Sequence, residues 1–147
     1  QTCALPIFSS KKRNLKNISI INHVKRIVIA NPKTAPYGTA AYEAISKAKL
    51  LDKNIKKFVY AENISQTVQY ALTAVDIGFI AKSSLYSPKM IKYKEGENFI
   101  EVDASLYEPI KQGVVLLNNK NGSKAFYNFI LGVKAKSIFK QFGYIIE

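Results

Sequence analysis

The chain alternates short apolar runs with longer segments whose apolar residues recur every three or four positions. Short apolar runs occupy residues 26–30, 57–60 and 76–81. Each run is too short for a buried helix, so each predicts a buried strand. The segments that follow residues 36 and 63 carry their apolar residues on one helical face. Because strands and helices alternate, the order predicts parallel strands in an α/β sheet.

The two ends of the chain give weaker signals. Residues 99–102 and 113–117 are apolar and predict later strands. Two further helices follow, the second ending near Gly143, and their apolar residues are Ala125, Phe126, Phe129 and Ile130 in one and Ala135, Ile138 and Phe139 in the other. Residues 1–16 have no clear period, which predicts an irregular N-terminal segment.

Two turns between a strand and a helix are the candidate functional features. Residues 34–38 place Pro36 in a first helical turn, where its missing N–H costs nothing. Residues 61–64 contain Asn63, a good N-cap, and Gln66 follows three positions later, as in a capping box. Helix N-termini leave N–H groups free for an anion, beyond the carboxyl ends of the strands. Both turns therefore suit an anion, with a purely structural turn as the competing interpretation of each.

The net charge of +12 comes almost entirely from lysine, since Arg13 and Arg26 are the only arginines. Proteins that read nucleic acids favour arginine for bidentate contacts to phosphates and bases. The lysines here are mostly scattered, which is more typical of a solvated surface. We therefore expect no nucleic-acid partner, and a basic nucleic-acid-binding domain stays as an alternative from a different class.

The residues that catalysis or metal binding requires do not form recognisable patterns. His23 is the only histidine, and the single Cys3 excludes an internal disulfide. The sequence has no Cys/His zinc spacing, no Walker-type glycine loop and no serine with an evident base partner. No apolar run approaches the roughly 20 residues of a membrane span. We expect no enzyme activity, no catalytic residue, no cofactor and no metal site.

Several segments together resemble a known family. Residues 30–38, 61–64 and 75–80, in this order, are similar to the molybdate-binding proteins of bacterial ABC transporters. Residues 107–112 and the ending from 125 to 144 are also similar. The resemblance runs from about residue 14 to the C-terminus. It implies a two-lobed periplasmic binding protein with an oxyanion between the lobes.

The resemblance implies a fold and a division of the chain. The fold class is α/β, a periplasmic binding protein type II-like lobe with a mostly parallel sheet flanked by helices. After the irregular segment 1–16, residues 17–108 would form the second lobe of the family. Residues 109–147 would be a strand and helices that return toward the first lobe. The first lobe has no counterpart here, so we expect a fragment that binds its ligand weakly.

The resemblance also implies the ligand and its contacts. Tyr37 and Ile64 occupy the positions whose backbone N–H groups donate to the ion. Some members place a tyrosine at the end of the third strand, where this chain has Ala81, so the Tyr37 hydroxyl is expected to replace it. The implied ligand is molybdate or tungstate, with sulfate or thiosulfate as an alternative.

The implied setting is that of a transport protein. The expected protein is a monomer that delivers the oxyanion to the membrane permease of an ABC transporter. It is expected to be periplasmic, or otherwise extracytoplasmic, and a lipid anchor is left open.

Overall fold

The computed structural model describes residues 2–146 and is built around a five-stranded mixed sheet. The strands are β1 (Thr2–Cys3), β2 (Pro6–Phe8), β3 (Ile27–Ala30), β4 (Phe58–Ala61), β5 (Ile77–Phe79), β6 (Phe99–Glu101) and β7 (Tyr144–Ile145). The larger sheet has the order β4-β3-β5-β2-β6, and β1 pairs with β7 in a separate antiparallel sheet.

Five α-helices surround these sheets in the described part of the chain. They are α1 (Pro36–Lys47), α2 (Leu51–Asn54), α3 (Ile64–Thr73), α4 (Asn121–Leu131) and α5 (Val133–Gln141). Short 3₁₀ turns lie at Ile18–His23, Ile55–Lys57, Lys82–Tyr86 and Ala104–Leu106. Gly143 follows α5 with a φ of 78°, the left-handed conformation expected just beyond a helix end.

The predicted parallel strands are confirmed. β3 pairs in parallel with β4, with Val28 opposite Val59, and with β5, with Val28 opposite Gly78. Helix α1 connects β3 to β4, and α3 connects β4 to β5. All four residues of β3 are buried, as expected for a central strand covered on both faces.

The two faces of the sheet have separate cores. Ile27 and Ile29 belong to the core that contains Ala41 and other buried residues of α1. Val28 belongs to the second core, which contains Ala71 of α3. Successive residues of a strand point to opposite faces, so this alternation places one helix on each side of β3.

Gly78 lets α3 approach the sheet closely. A Cβ atom at this position would lie 2.7 Å from both the Cβ of Ala71 and the Cγ1 of Val28. These distances are shorter than van der Waals contact, so the close packing of α3 on β3 and β5 requires glycine here.

The prediction that residues 1–16 are irregular is wrong. β2 lies inside the sheet, antiparallel to both neighbours, with Ile7 opposite Phe79 of β5 and Ile100 of β6. Leu5, Ile7 and Phe8 have no exposed surface. A strand that is buried on both faces shows no alternation of polar and apolar residues, so its sequence lacks the usual strand period.

The prediction of a strand at residues 113–117 is also wrong. No strand within residues 2–146 pairs with this segment, and Val115 and Leu117 are 77% and 91% exposed. Apolar residues favour a strand only where a neighbouring strand accepts and donates the backbone hydrogen bonds. The predicted strand at 99–102 is confirmed as β6.

The two C-terminal helices are confirmed, but the apolar side of α4 is uncovered. Helix α4 has no buried residue, and Phe126 and Phe129 are 64% and 45% exposed.

No helix within residues 2–146 is long and apolar enough to cross a membrane. The division into residues 17–108 and 109–147 stays a prediction.

Candidate functional site

The turn after β3 is organised by Asn31 and is tied to the end of β4. The backbone N–H of Asn31 donates to the Ala61 carbonyl at 2.8 Å. Its own carbonyl accepts hydrogen bonds from the N–H groups of Thr34 and Ala35, at 3.1 and 2.9 Å. Its side-chain Oδ1 accepts from the N–H of Lys33 at 3.0 Å. Asn31 therefore places the two predicted turns next to each other.

Helix α1 begins directly against the end of β3. Pro36 is its first residue, as predicted, and a Cβ on Gly38 would lie 2.1 Å from the Ala30 carbonyl oxygen. Only glycine permits this close approach. The N–H groups of Gly38 and Thr39 donate to the Ala35 carbonyl. The N–H of Tyr37 has no acceptor among the described residues, so it is available to a ligand.

Helix α3 begins with the predicted Asn cap. The Asn63 Oδ1 accepts a hydrogen bond from the N–H of Gln66 at 3.0 Å. The Gln66 side chain reaches back to the N–H of Glu62, at 2.7 Å, one residue before the position that a standard capping box uses. Across residues 2–146, the N–H groups of Ile64 and Ser65 meet no protein acceptor.

The two helix starts line one hollow, which we call the turn cavity. Its volume is about 350 Å³, and its walls are residues 34–37, 62–64 and 110–112. Tyr37 and Ile64 both lie on this cavity, so the structure brings the two predicted site residues together. The wall formed by residues 110–112 was not predicted as part of a site. The only signal in the sequence was the family resemblance of residues 107–112.

The side chain of Tyr37 is a buried neutral phenol. Only 7% of the residue is exposed, and its hydroxyl oxygen accepts a hydrogen bond from the Gln112 Nε2 at 3.3 Å. Burial, with the nearby Cys3 thiol as a smaller cause, raises the pKa of this hydroxyl well above its ordinary value of 10.0. The predicted contact between the hydroxyl and an ion stays a prediction. Ala81 is 97% buried and does not line the cavity.

The backbone contributes positive potential to the turn cavity. Two helix N-termini meet there, and each carries roughly half a positive charge. Lys111 and Glu62 are the charged side chains on its walls, and both residues are exposed. Their opposite charges partly offset one another, and the free amide N–H groups are further donors that an anion could use.

The other candidate groups lie outside this cavity. His23 is exposed and belongs to the 3₁₀ turn Ile18–His23. The Ser9 hydroxyl donates to the Asp76 carbonyl at 2.9 Å, which is a structural role. In the described part of the chain, no three His, Cys, Asp or Glu side chains come together as metal ligands would.

Known proteins are similar to this chain in sequence. The molybdate-binding protein ModA of Azotobacter vinelandii is 35% identical over 130 residues, which cover 86% of this chain and 50% of that protein. The protein of the same name from Rhodobacter capsulatus is 34% identical over 128 residues, covering 84% of this chain and 48% of its own length. The chain therefore spans about half the length of the curated relatives it matches.

A solved structure supports the fold assignment. The periplasmic molybdate-binding protein of Azotobacter vinelandii superimposes with a TM-score of 0.85 and 26% identity, covering 99% of this chain and 66% of that chain. The predicted periplasmic-binding-protein type of α/β fold is confirmed by this likeness. The sequence model of the family described as bacterial extracellular solute-binding protein matches residues 8–145. The chain belongs to the family of bacterial extracellular solute-binding proteins.

Proposed function

We propose that the turn cavity holds a tetrahedral oxyanion, molybdate or tungstate, for delivery to the permease of an ABC transporter. One observation carries the proposal. Tyr37 and Ile64, at the starts of two different helices, line the same cavity, and neither N–H group has an acceptor among the described residues. The names of the two matched relatives, which are molybdate-binding proteins, supply the identity of the ion.

The donor chemistry suits a dianion. An ion that leaves water must have its charge met by hydrogen-bond donors, and each such bond to a charged group contributes about 1.5–3 kcal/mol. Backbone N–H groups at a helix start already point in fixed directions, so little freedom is lost on binding. The two amide N–H groups can only donate, so they offer no partner for the proton of monohydrogen phosphate. Size would separate molybdate from sulfate.

The place of action follows from the family. We propose an extracytoplasmic monomer that binds its solute without chemical change. The family description, extracellular solute binding, supports the location and the absence of catalysis. The permease partner is inferred from the transport role of such proteins, and a lipid anchor is left open.

The rest of the ion's donors would come from outside residues 1–147. The curated relatives are about twice as long as the matched region. We propose that residues 109–147 lie against a further lobe and that the exposed apolar side of α4 faces it. Accordingly, this chain alone should bind the ion weakly, with a loss of orders of magnitude against a two-lobed protein.

Calorimetric titration of the 147-residue chain with four anions tests the function. Molybdate and tungstate should bind with dissociation constants within a few-fold of each other. Sulfate should bind at least roughly tenfold more weakly than molybdate, because sulfate is smaller. Phosphate should bind more weakly still, because it carries a proton. If sulfate binds as well as molybdate, the assignment of the ion is wrong. If no anion binds at millimolar concentrations, the turn cavity is not a site on its own.

A further inference from the structure

Lys111 lies at the junction of two adjacent cavities. One is the turn cavity, and the other is a neighbouring cavity of about 500 Å³ whose walls include residues 32–36 and 108–111. The two cavities share the turn of residues 34–36 and the pair Ile110 and Lys111. Lys111 is therefore the one cation that lines both of them within the described residues.

The backbone of Lys111 is fixed although its side chain is exposed. Lys111 forms an antiparallel bridge with Thr2, and its N–H donates to the Pro109 carbonyl at 2.9 Å. The preceding Ile110 is buried, with 5% of its surface exposed. The backbone of Lys111 is thus held beside the turn cavity, while its ammonium group is carried on a flexible side chain.

Within the described residues, the ammonium group of Lys111 takes part in no salt bridge. Over residues 2–146, no carboxylate oxygen lies within 4.0 Å of its ammonium nitrogen. Glu43 and Glu108 also line the neighbouring cavity, and neither forms a salt bridge with Lys111. The Glu43 Oε2 accepts a hydrogen bond from the N–H of Glu108 at 3.0 Å. Lys33 lines the neighbouring cavity but not the turn cavity, and Glu62 lines the turn cavity but not the neighbouring one.

We propose that Lys111 is a capture residue for the oxyanion, which attracts the ion to the turn cavity and offsets the repulsion from Glu62. The proposal rests on the oxyanion function proposed above. A charge at the mouth of a cleft raises the local concentration of counter-ions, and salt screens this effect over about 8–10 Å. The amide donors hold the ion, and Lys111 makes its binding dependent on ionic strength.

Three variants test this role. Lys111→Gln removes the charge at the cavity, and Lys56→Gln is its matched control. Lys56 is exposed, lies in the turn Ile55–Lys57 and lines neither cavity, and its substitution changes the net charge equally. Glu62→Gln removes the opposing charge. The measurement is the molybdate dissociation constant, by calorimetry in roughly 20 mM and roughly 500 mM NaCl.

Capture by Lys111 predicts a specific pattern. At low salt, Lys111→Gln should raise the dissociation constant roughly three- to tenfold, Lys56→Gln less than about twofold, and Glu62→Gln should lower it. At high salt the differences should nearly vanish. Equal effects of the two lysine variants at low salt would overturn the role of Lys111 and leave the oxyanion function standing. Failure of the unmodified chain to bind molybdate at millimolar concentrations would overturn the role of Lys111 and would show that the turn cavity is not a site on its own.

Discussion

Ile64→Pro removes one of the two amide donors with little disturbance to the helix. Ile64 is the first residue of α3, where proline is favoured. Asn63, which precedes it, has φ −150° and ψ 173°, an extended conformation that a following proline requires. The substitution therefore deletes the N–H of a residue that lines the turn cavity while the Asn63 cap stays in place.

The expected loss follows from the energy of one hydrogen bond. A bond from a neutral donor to a charged group contributes about 1.5–3 kcal/mol. Its removal should therefore raise the molybdate dissociation constant roughly 10- to 150-fold. The assay is calorimetric titration of the variant and the unmodified chain, with circular dichroism to check that both are folded.

Two controls separate the N–H from other effects of the substitution. Ile64→Val keeps the donor and trims the side chain, so it should change the dissociation constant less than about twofold. Asn121→Pro places proline at the first position of α4, after Lys120 in an extended conformation, and away from the turn cavity. If Ile64→Pro weakens binding no more than these controls, the Ile64 amide does not hold the ion.

Three further predictions concern the fold. Asp76→Asn should lower the free energy of unfolding by about 1–2 kcal/mol at pH 7, measured by urea denaturation, because Asp76 accepts hydrogen bonds from Arg13 and two backbone N–H groups. Partial burial works to raise the pKa of Asp76, but these donors outweigh it and hold the pKa below its ordinary 3.8. The Asp76 charge therefore contributes fully to stability above pH 3.8, and this contribution should disappear as the pH falls through the lowered pKa. If Asp76→Asn lowers the free energy of unfolding equally at pH 7 and pH 2, that reasoning is wrong. Gly38→Ala should cost about 3 kcal/mol or prevent folding, because its Cβ meets the Ala30 carbonyl; an unchanged melting temperature would refute that contact. Phe126→Ser should change the unfolding free energy by less than about 0.5 kcal/mol and reduce the binding of a hydrophobic dye; a large loss of stability would show that Phe126 is packed.

The sequence predicts the central part of the fold because its signals there are local. A β-branched run at β3, a proline at the start of α1 and an Asn cap at α3 each act within a few residues. β2 could not be predicted in this way. Three buried residues between two strands far away in the chain carry no periodic signal, and their pairing is decided by tertiary contacts.

The candidate site, too, could be predicted only in part from the sequence. Tyr37 and Ile64 lie at helix starts that the sequence predicts, so their free N–H groups could be anticipated. That they share one cavity depends on the hydrogen bond between Asn31 and Ala61 and on the wall at residues 110–112. These contacts join segments that are 30 or more residues apart, and no local pattern predicts them.

The proposed site requires that the amides of Tyr37 and Ile64 bind the same dianion. An NMR titration of the ¹⁵N-labelled chain with molybdate observes both groups directly. The two amide signals should shift together along one saturable curve, while the amide of Asn121, at the start of α4, stays unchanged. Signals that stay fixed at both residues, or that move with clearly different midpoints, would contradict this prediction.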